Sequence, residues 1–231
     1  MKFSLSFIFL LLSNSTIAQQ STDGNLIFYY KKIIQILAHY SLNGRSASSI
    51  FEDKAAKFIY QEFESTFSAK PKIHEFTYQT DSNHFSKNIY YFVNNHADST
   101  ILIGAHYDHI GLGENRSRSY GKKGIHNGAD DNASGVALML AIAQSLNSLS
   151  TKKYNYVFVA YSAHEIGLFG SAAFALFCRN KLPPLALVIN FDMVGRFDKN
   201  ARVLNIYGKK TLLQHQYFFE TTTFSGKIHT S

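Results

Sequence analysis

Histidine and carboxylate side chains gather at four places in this chain: His106-Tyr107-Asp108-His109, Asp130-Asp131, His164-Glu165 and Asp192. Imidazole and carboxylate donors without thiolates suit a catalytic divalent ion, zinc above all, better than a closed structural site. Any one of these places alone would read as a solvated loop. Asp130-Asp131 alone would read as a helix start, with Asp131 or Asn132 as N-cap and negative charge favoured by the helix dipole. A cap needs one acid, however, and two adjacent carboxylates repel unless positive charge or a divergent backbone separates them. Asp130, Glu165 and Asp192 also suit the charge of a pair of divalent ions, the kind of site that activates water for hydrolysis. Asp108, two residues after His106, falls on the same side of an extended chain and would orient that imidazole.

These residues need elements that carry them to one point. Ile101-Leu102-Ile103-Gly104-Ala105, Tyr156-Val157-Phe158-Val159-Ala160-Tyr161 and Leu185-Ala186-Leu187-Val188-Ile189 are short, unbroken apolar runs, as in strands buried on both faces. Each is followed at once by one of the chemical segments. Helix-like segments lie between them, Asn132 to Leu146 and about Gly167 to Phe177. This alternation predicts an α/β fold, a three-layer α/β/α sandwich with a mixed, centrally parallel sheet. In such a sheet the carboxyl ends of the strands share one edge, where ligands bind. Upstream, apolar spacing predicts helices over Leu26 to Tyr40, ended by Asn43-Gly44, and over Ser49 to Phe67. Strands are predicted at Ile73 to Thr80 and Asn88 to Val93, and near the end a strand at Arg202 to Tyr207 and a helix at Thr211 to Glu220. The polar loop from Gly113 to Gly124 reads as exposed.

The net charge of +7 comes from scattered pairs such as Lys31-Lys32 and Lys152-Lys153. No basic arm and no nucleic-acid signature is present, so solvated lysines account for the charge and no nucleic-acid partner is expected. Met1-Lys2, an apolar run from Phe3 to Leu12 and small residues ending at Ala18 form the three parts of a signal peptide over residues 1–18. The expected mature chain, residues 19–231, is one exported domain, periplasmic or secreted. The apolar run is too short to span a bilayer, and no cysteine near Ala18 offers a lipid attachment point, so no stable membrane anchor is expected. Cys178, the one cysteine, lies in an apolar helical stretch and reads as a buried thiol; it leaves no intrachain disulfide.

Four motifs in order carry a family resemblance: Gly104-Ala105-His106-Tyr107-Asp108-His109, Asn127 through Gly135, Glu165-Ile166-Gly167-Leu168-Phe169-Gly170-Ser171, and Asn190-Phe191-Asp192-Met193-Val194-Gly195. They resemble the co-catalytic di-zinc aminopeptidases, metallopeptidase family twenty-eight. The resemblance implies two zinc ions and peptide substrates. It implies His106 and Asp192 on one ion, Glu165 on the other, Asp130 as the bridge, and Asp108 as the acid that orients His106. Asp131 would lie beside the bridge, free to cap the helix. The family carries two consecutive glutamates, the first of which takes a proton from the water; here His164 occupies that place and would act as the base. The family's last ligand is a histidine in a Ser-Asp-His-like segment, and Lys227-Ile228-His229-Thr230-Ser231 resembles the approach to it. The resemblance therefore predicts a domain incomplete at its C-terminus. Two other readings share the fold: a metal- or peptide-binding relative without catalysis, and a glutaminyl cyclase-like acyltransferase.

Overall fold

The computed structural model describes residues 24–113, 117, 123–148 and 153–196, together with the strand backbones of 203–206 and 227–230. The expected leader at residues 1–18, the expected helix at Thr211–Glu220 and most of the Gly113–Gly124 loop lie outside the described residues.

Three apolar runs become neighbouring parallel strands. They are β3 (Thr100–His106), β4 (Asn155–Tyr161) and β5 (Leu185–Asn190). Two further strands, β1 (Lys72–Gln79) and β2 (Asn83–Val93), form a hairpin that adds to β4 in the antiparallel sense. The sheet order is β1-β2-β4-β3-β5, which is mixed, with the parallel part carrying the strand ends of interest. β2 begins earlier than the predicted Asn88. Its polar start reads as a loop, yet it is paired along its length with β1, from Gln79↔Asn83 to Lys72↔Tyr90.

Alternation along the central strands divides the core into two faces. Phe158, Ala160, Ile103 and Ala105 face α1 (residues 24–37), α2 (Ile50–Phe67) and α3 (Gly135–Asn147), packing with Ile33, Leu37, Ile59, Phe63, Met139 and Leu140. Val157, Val159, Tyr161 and Leu102 face α4 (Phe169–Lys181), against Phe174 and Cys178. The result is the three-layer α/β/α sandwich. Each fully buried large apolar side chain contributes roughly 1.5–3 kcal/mol, which anchors β3 and β4 on both faces. β5, expected to be buried in the same way, is instead the edge strand of the described sheet and largely exposed, with Val188 54% exposed. Cys178 is buried, and that burial pushes its thiol up to about 11, which makes it unreactive.

The first helix stops at residue 37, earlier than predicted, and a 3-10 turn (Tyr40–Leu42) follows. Asn43 then adopts the left-handed conformation (φ 43°) beside Gly44 (φ 69°), the stop signal expected of this pair. Ser49 caps α2 by accepting a hydrogen bond from Glu52 N at 3.1 Å. A separate parallel pair, β6 (Val203–Ile206) with β7 (Lys227–Thr230), sets Asn205 opposite His229 in backbone register. Among the described residues no helix is long and apolar enough to cross a membrane.

Candidate metal centre

Because β3, β4 and β5 are parallel, the segments after His106, Tyr161 and Asn190 leave the sheet at one edge. The turn Ala129–Ser134, which opens α3, arrives at the same edge. Two groups of donors form there, His106 with His164 and Asp192, and His109 with Asp131 and Glu165. In each group one donor atom per residue lies within 4.8 Å of the others. Asp131 joins the groups, since its Oδ1 stands 3.2 Å from His106 Nε2.

The expected bridge was Asp130, but the structure places Asp131 between the two groups. Asp131 (φ −105°, ψ 94°) and Asn132 (φ −135°, ψ 39°) leave the helical conformation inside an otherwise helical turn, so the regular fan of helical side chains is broken there. Asp130 turns the other way. Its Oδ1 accepts from Gly195 N at 2.8 Å, and its backbone carbonyl accepts from Ser134 Oγ at 2.6 Å. The capping role expected of Asp131 falls instead to Asn132. Asn132 Oδ1 accepts from Gly135 N (3.1 Å) and Met193 N (3.2 Å), while its amide donates to Phe191 O (2.9 Å). One buried amide thus ties the start of α3 to the segment that carries Asp192.

Asp108 orients more than the residue expected of it. His106 Nδ1 is 3.2 Å from the Asp108 backbone carbonyl and 3.7 Å from its carboxylate. The two carboxylate oxygens accept from His164 N (3.0 Å) and Glu165 N (3.1 Å). With acceptors facing Nδ1, the Nε2 lone pair is the one left for the site. His106 Nε2 is buried and has no aligned hydrogen-bond partner, although two carboxylates lie near it. Burial disfavours the His106 cation, yet Asp108, Asp131 and Asp192 outweigh burial and raise its pKa well above the usual value. A site that holds a proton on a buried imidazole this way favours positive charge, and a divalent ion at Nε2 would replace that proton. The donor set, the orphaned Nε2 and the facing carboxylates all fit zinc.

His164, the expected base, lies in the first group without the geometry of a shared ligand. Its ring stacks on His106 with centroids 3.9 Å apart and planes 6° from parallel. An ion about 2 Å from a nitrogen of each ring would sit out of both ring planes, away from both lone pairs. His164 Nε2 is instead 3.8 Å from Asp192 Oδ2. Burial, followed by His106, lowers the His164 pKa, which keeps the ring neutral and able to accept a proton.

Two supporting residues escaped the sequence reading. Arg45, fully buried, followed the Asn43-Gly44 stop and looked like loop. Its guanidinium donates to Tyr107 O (2.7 Å), Leu37 O (2.9 Å), Asn127 O (2.6 Å) and Gly128 O (2.7 Å), joining α1, the end of β3 and the approach to Asp131. Glu52, buried in α2, accepts from Ser48 N (2.7 Å) and Ser86 Oγ (2.9 Å) and bonds Ser162, two residues before His164. Burial pushes the Glu52 carboxyl from 4.5 up to about 7; Ser162 opposes the shift and Asp108 adds to it. Between these values the folded chain keeps a proton that the unfolded chain has released. Stability should therefore fall as pH rises from 4.5 to 7 and then level off, by at most about 3 kcal/mol from this group. Urea midpoints across that range check this, and Glu52→Gln should flatten the slope. An unchanged slope in the variant would assign it to another group.

The chain resembles proteins of several names. It is 38% identical over 103 residues to the uncharacterized protein YfbL of Escherichia coli (strain K12), a match covering 42% of this chain and 29% of that one. It is 33% identical over 129 residues to aminopeptidase YwaD of Bacillus subtilis (strain 168), covering 54% and 24%. The chain thus spans less than a third of the curated relatives it matches. Among solved structures, LapA aminopeptidase of Legionella pneumophila shares the fold with a TM-score of 0.68 at 19% identity, covering 92% of this chain and 57% of that one. A glutaminyl cyclase of Bacteroides thetaiotaomicron does so with a TM-score of 0.65 at 17% identity, covering 89% and 76%. With the strand-edge donors in place, residues 88–230, well over half of the chain, match the model of Peptidase family M28, and the chain belongs to that family.

Proposed function

We propose that this chain is the catalytic domain of an exported zinc-dependent aminopeptidase that removes N-terminal residues from peptides. The observation that carries the reading is the convergence of His106, Asp131, Glu165 and Asp192 at one sheet edge, with His106 Nε2 buried and unpartnered. His106 and Asp192 would hold one zinc ion, Glu165 the other, and Asp131 would lie between them. When bound, the ions supply water activation and polarisation of the scissile carbonyl. Asp192 and Asp131 are the more exposed members of the site, so substrate and water enter on their side. Asp108 holds the backbone of His164 and Glu165 in register with His106. His164 Nε2 takes a proton from the attacking water, its cation faces Asp192 Oδ2, and it returns the proton to the departing amine.

Chelator-sensitive release of nitroaniline from aminoacyl nitroanilides tests the activity. Ammonia release from N-terminal glutaminyl peptides in the same assay would identify the cyclase reaction instead. His164→Glu places a carboxylate where the family resemblance expects one, and hydrolysis should rise by about 10-fold or more, a part of the roughly 10²–10⁴-fold that a general base contributes. If His164→Glu gains nothing over the parent, His164 is not the base.

A further inference from the structure

We propose that His109 is a protein ligand of the second metal ion, binding through Nδ1 beside Asp131 and Glu165. The inference rests on the zinc-peptidase reading and adds to it a ligand that the family pattern does not supply at this position. His109 Nδ1 lies 2.8 Å from Glu165 Oε1, and the donor atoms of His109, Asp131 and Glu165 lie within 4.8 Å of one another. Two ligands on one tetrahedral zinc, each at about 2.0–2.2 Å, stand about 3.3 Å apart. The pair therefore has to open by only about half an ångström, which a side-chain adjustment provides.

The ring is held where it is by the backbone and by its neighbours. His109 N donates to Arg45 O at 3.2 Å, and His109 forms an isolated bridge with Ser46. Gly128, in the left-handed conformation (φ 60°), lies against the ring. A Cβ there would fall 2.7 Å from His109 Cγ and Cδ2, so the missing side chain is what makes room for the imidazole. The ring is nearly buried, and its Nδ1 edge faces the carboxylates. The first group already has His106 as its imidazole, whose Nε2 lies 3.2 Å from Asp131 Oδ1. With His109, each ion receives one imidazole and one carboxylate of its own, and the two share Asp131.

The competing role is a hydrogen bond that only orients Glu165. Zinc binding to the metal-stripped full chain separates the two, read by titration calorimetry, by metal content after dialysis and by the visible spectrum of the cobalt-substituted protein. The parent chain should bind two ions, and His109→Ala should bind one, with affinity for the other weakened at least about 100-fold. His109→Asn keeps an amide donor toward Glu165 but is a poor zinc ligand; His109→Asp is a ligand but cannot donate. Two ions in His109→Asp and one in His109→Asn supports the ligand role. Two ions in His109→Asn, or in His109→Ala, overturns it. A parent chain that binds a single ion, unaffected by these variants, also overturns the inference while leaving the His106 site intact. A parent chain that binds no zinc overturns the zinc-peptidase reading itself.

Discussion

Asp131→Asn should abolish tight binding of both zinc ions, while Asp130→Asn should leave their affinity within a few-fold of the parent. These side chains are consecutive and chemically identical, so the pair tests placement alone. Asp131 Oδ1 is 3.2 Å from His106 Nε2 and belongs with His109 and Glu165. Removing a charge shared by two ions costs more than removing an orienting partner, which itself costs about 10–100-fold in affinity. A loss of at least about 100-fold at each ion is therefore expected for Asp131→Asn, read by titration calorimetry. Asp130 serves Gly195 N, a bond that the Oδ1 of asparagine also accepts. Equal losses in the two variants would return the bridge to Asp130.

The largest expected effect on stability is that of Arg45→Met. Of the four carbonyl oxygens bonded by Arg45, those of Leu37, Tyr107 and Asn127 would lose this donor beside a fully buried side chain, whereas Gly128 O keeps the amide of Ala133 at 3.1 Å. A buried acceptor left unmet costs about 1–3 kcal/mol, so the loss from these three should be about 3 kcal/mol or more, a large part of the stability of an ordinary domain. For a domain of this size that lowers the melting temperature by roughly 6–12 °C. Arg45→Lys should recover only part of it, because one ammonium cannot reach acceptors spread around a planar fork. An Arg45→Met protein melting within about 2 °C of the parent would show that these bonds contribute little.

The layers were legible because they rest on composition over several residues at a time. Continuous apolar runs such as Tyr156 to Tyr161 fit strands of a layered sheet, and each points at its own chemical segment. The burial on both faces expected of them holds for β3 and β4 but not for the edge strand β5. His106, Glu165 and Asp192 follow such runs within a few residues, so their convergence followed from strand direction. Asp130 and Asp131 were not separable in this way, since their difference lies in backbone dihedrals at Asp131 and Asn132 that spacing does not encode. His109 was passed over because alternation along β3 puts it on the side away from His106 and Asp108. The chain leaves the strand after His106, so alternation no longer applies. Arg45 and Glu52 carried no signal, because a buried charge is recognised by its partners, and those are distant in sequence: Gly128 for Arg45, Ser162 for Glu52.

The grip of Asp108 has a consequence for how this site can change. Its carboxylate holds the amide hydrogens of residues 164 and 165 and touches neither side chain through those bonds. Any amino acid except proline presents the same amide hydrogen. Position 164 is therefore anchored independently of what it carries, and a histidine can stand where the family resemblance leads one to expect a glutamate without moving Glu165. A scaffold held in this way tolerates the exchange of its reactive group ahead of any change in its framework, and chemistry at that edge can drift while the fold stays put.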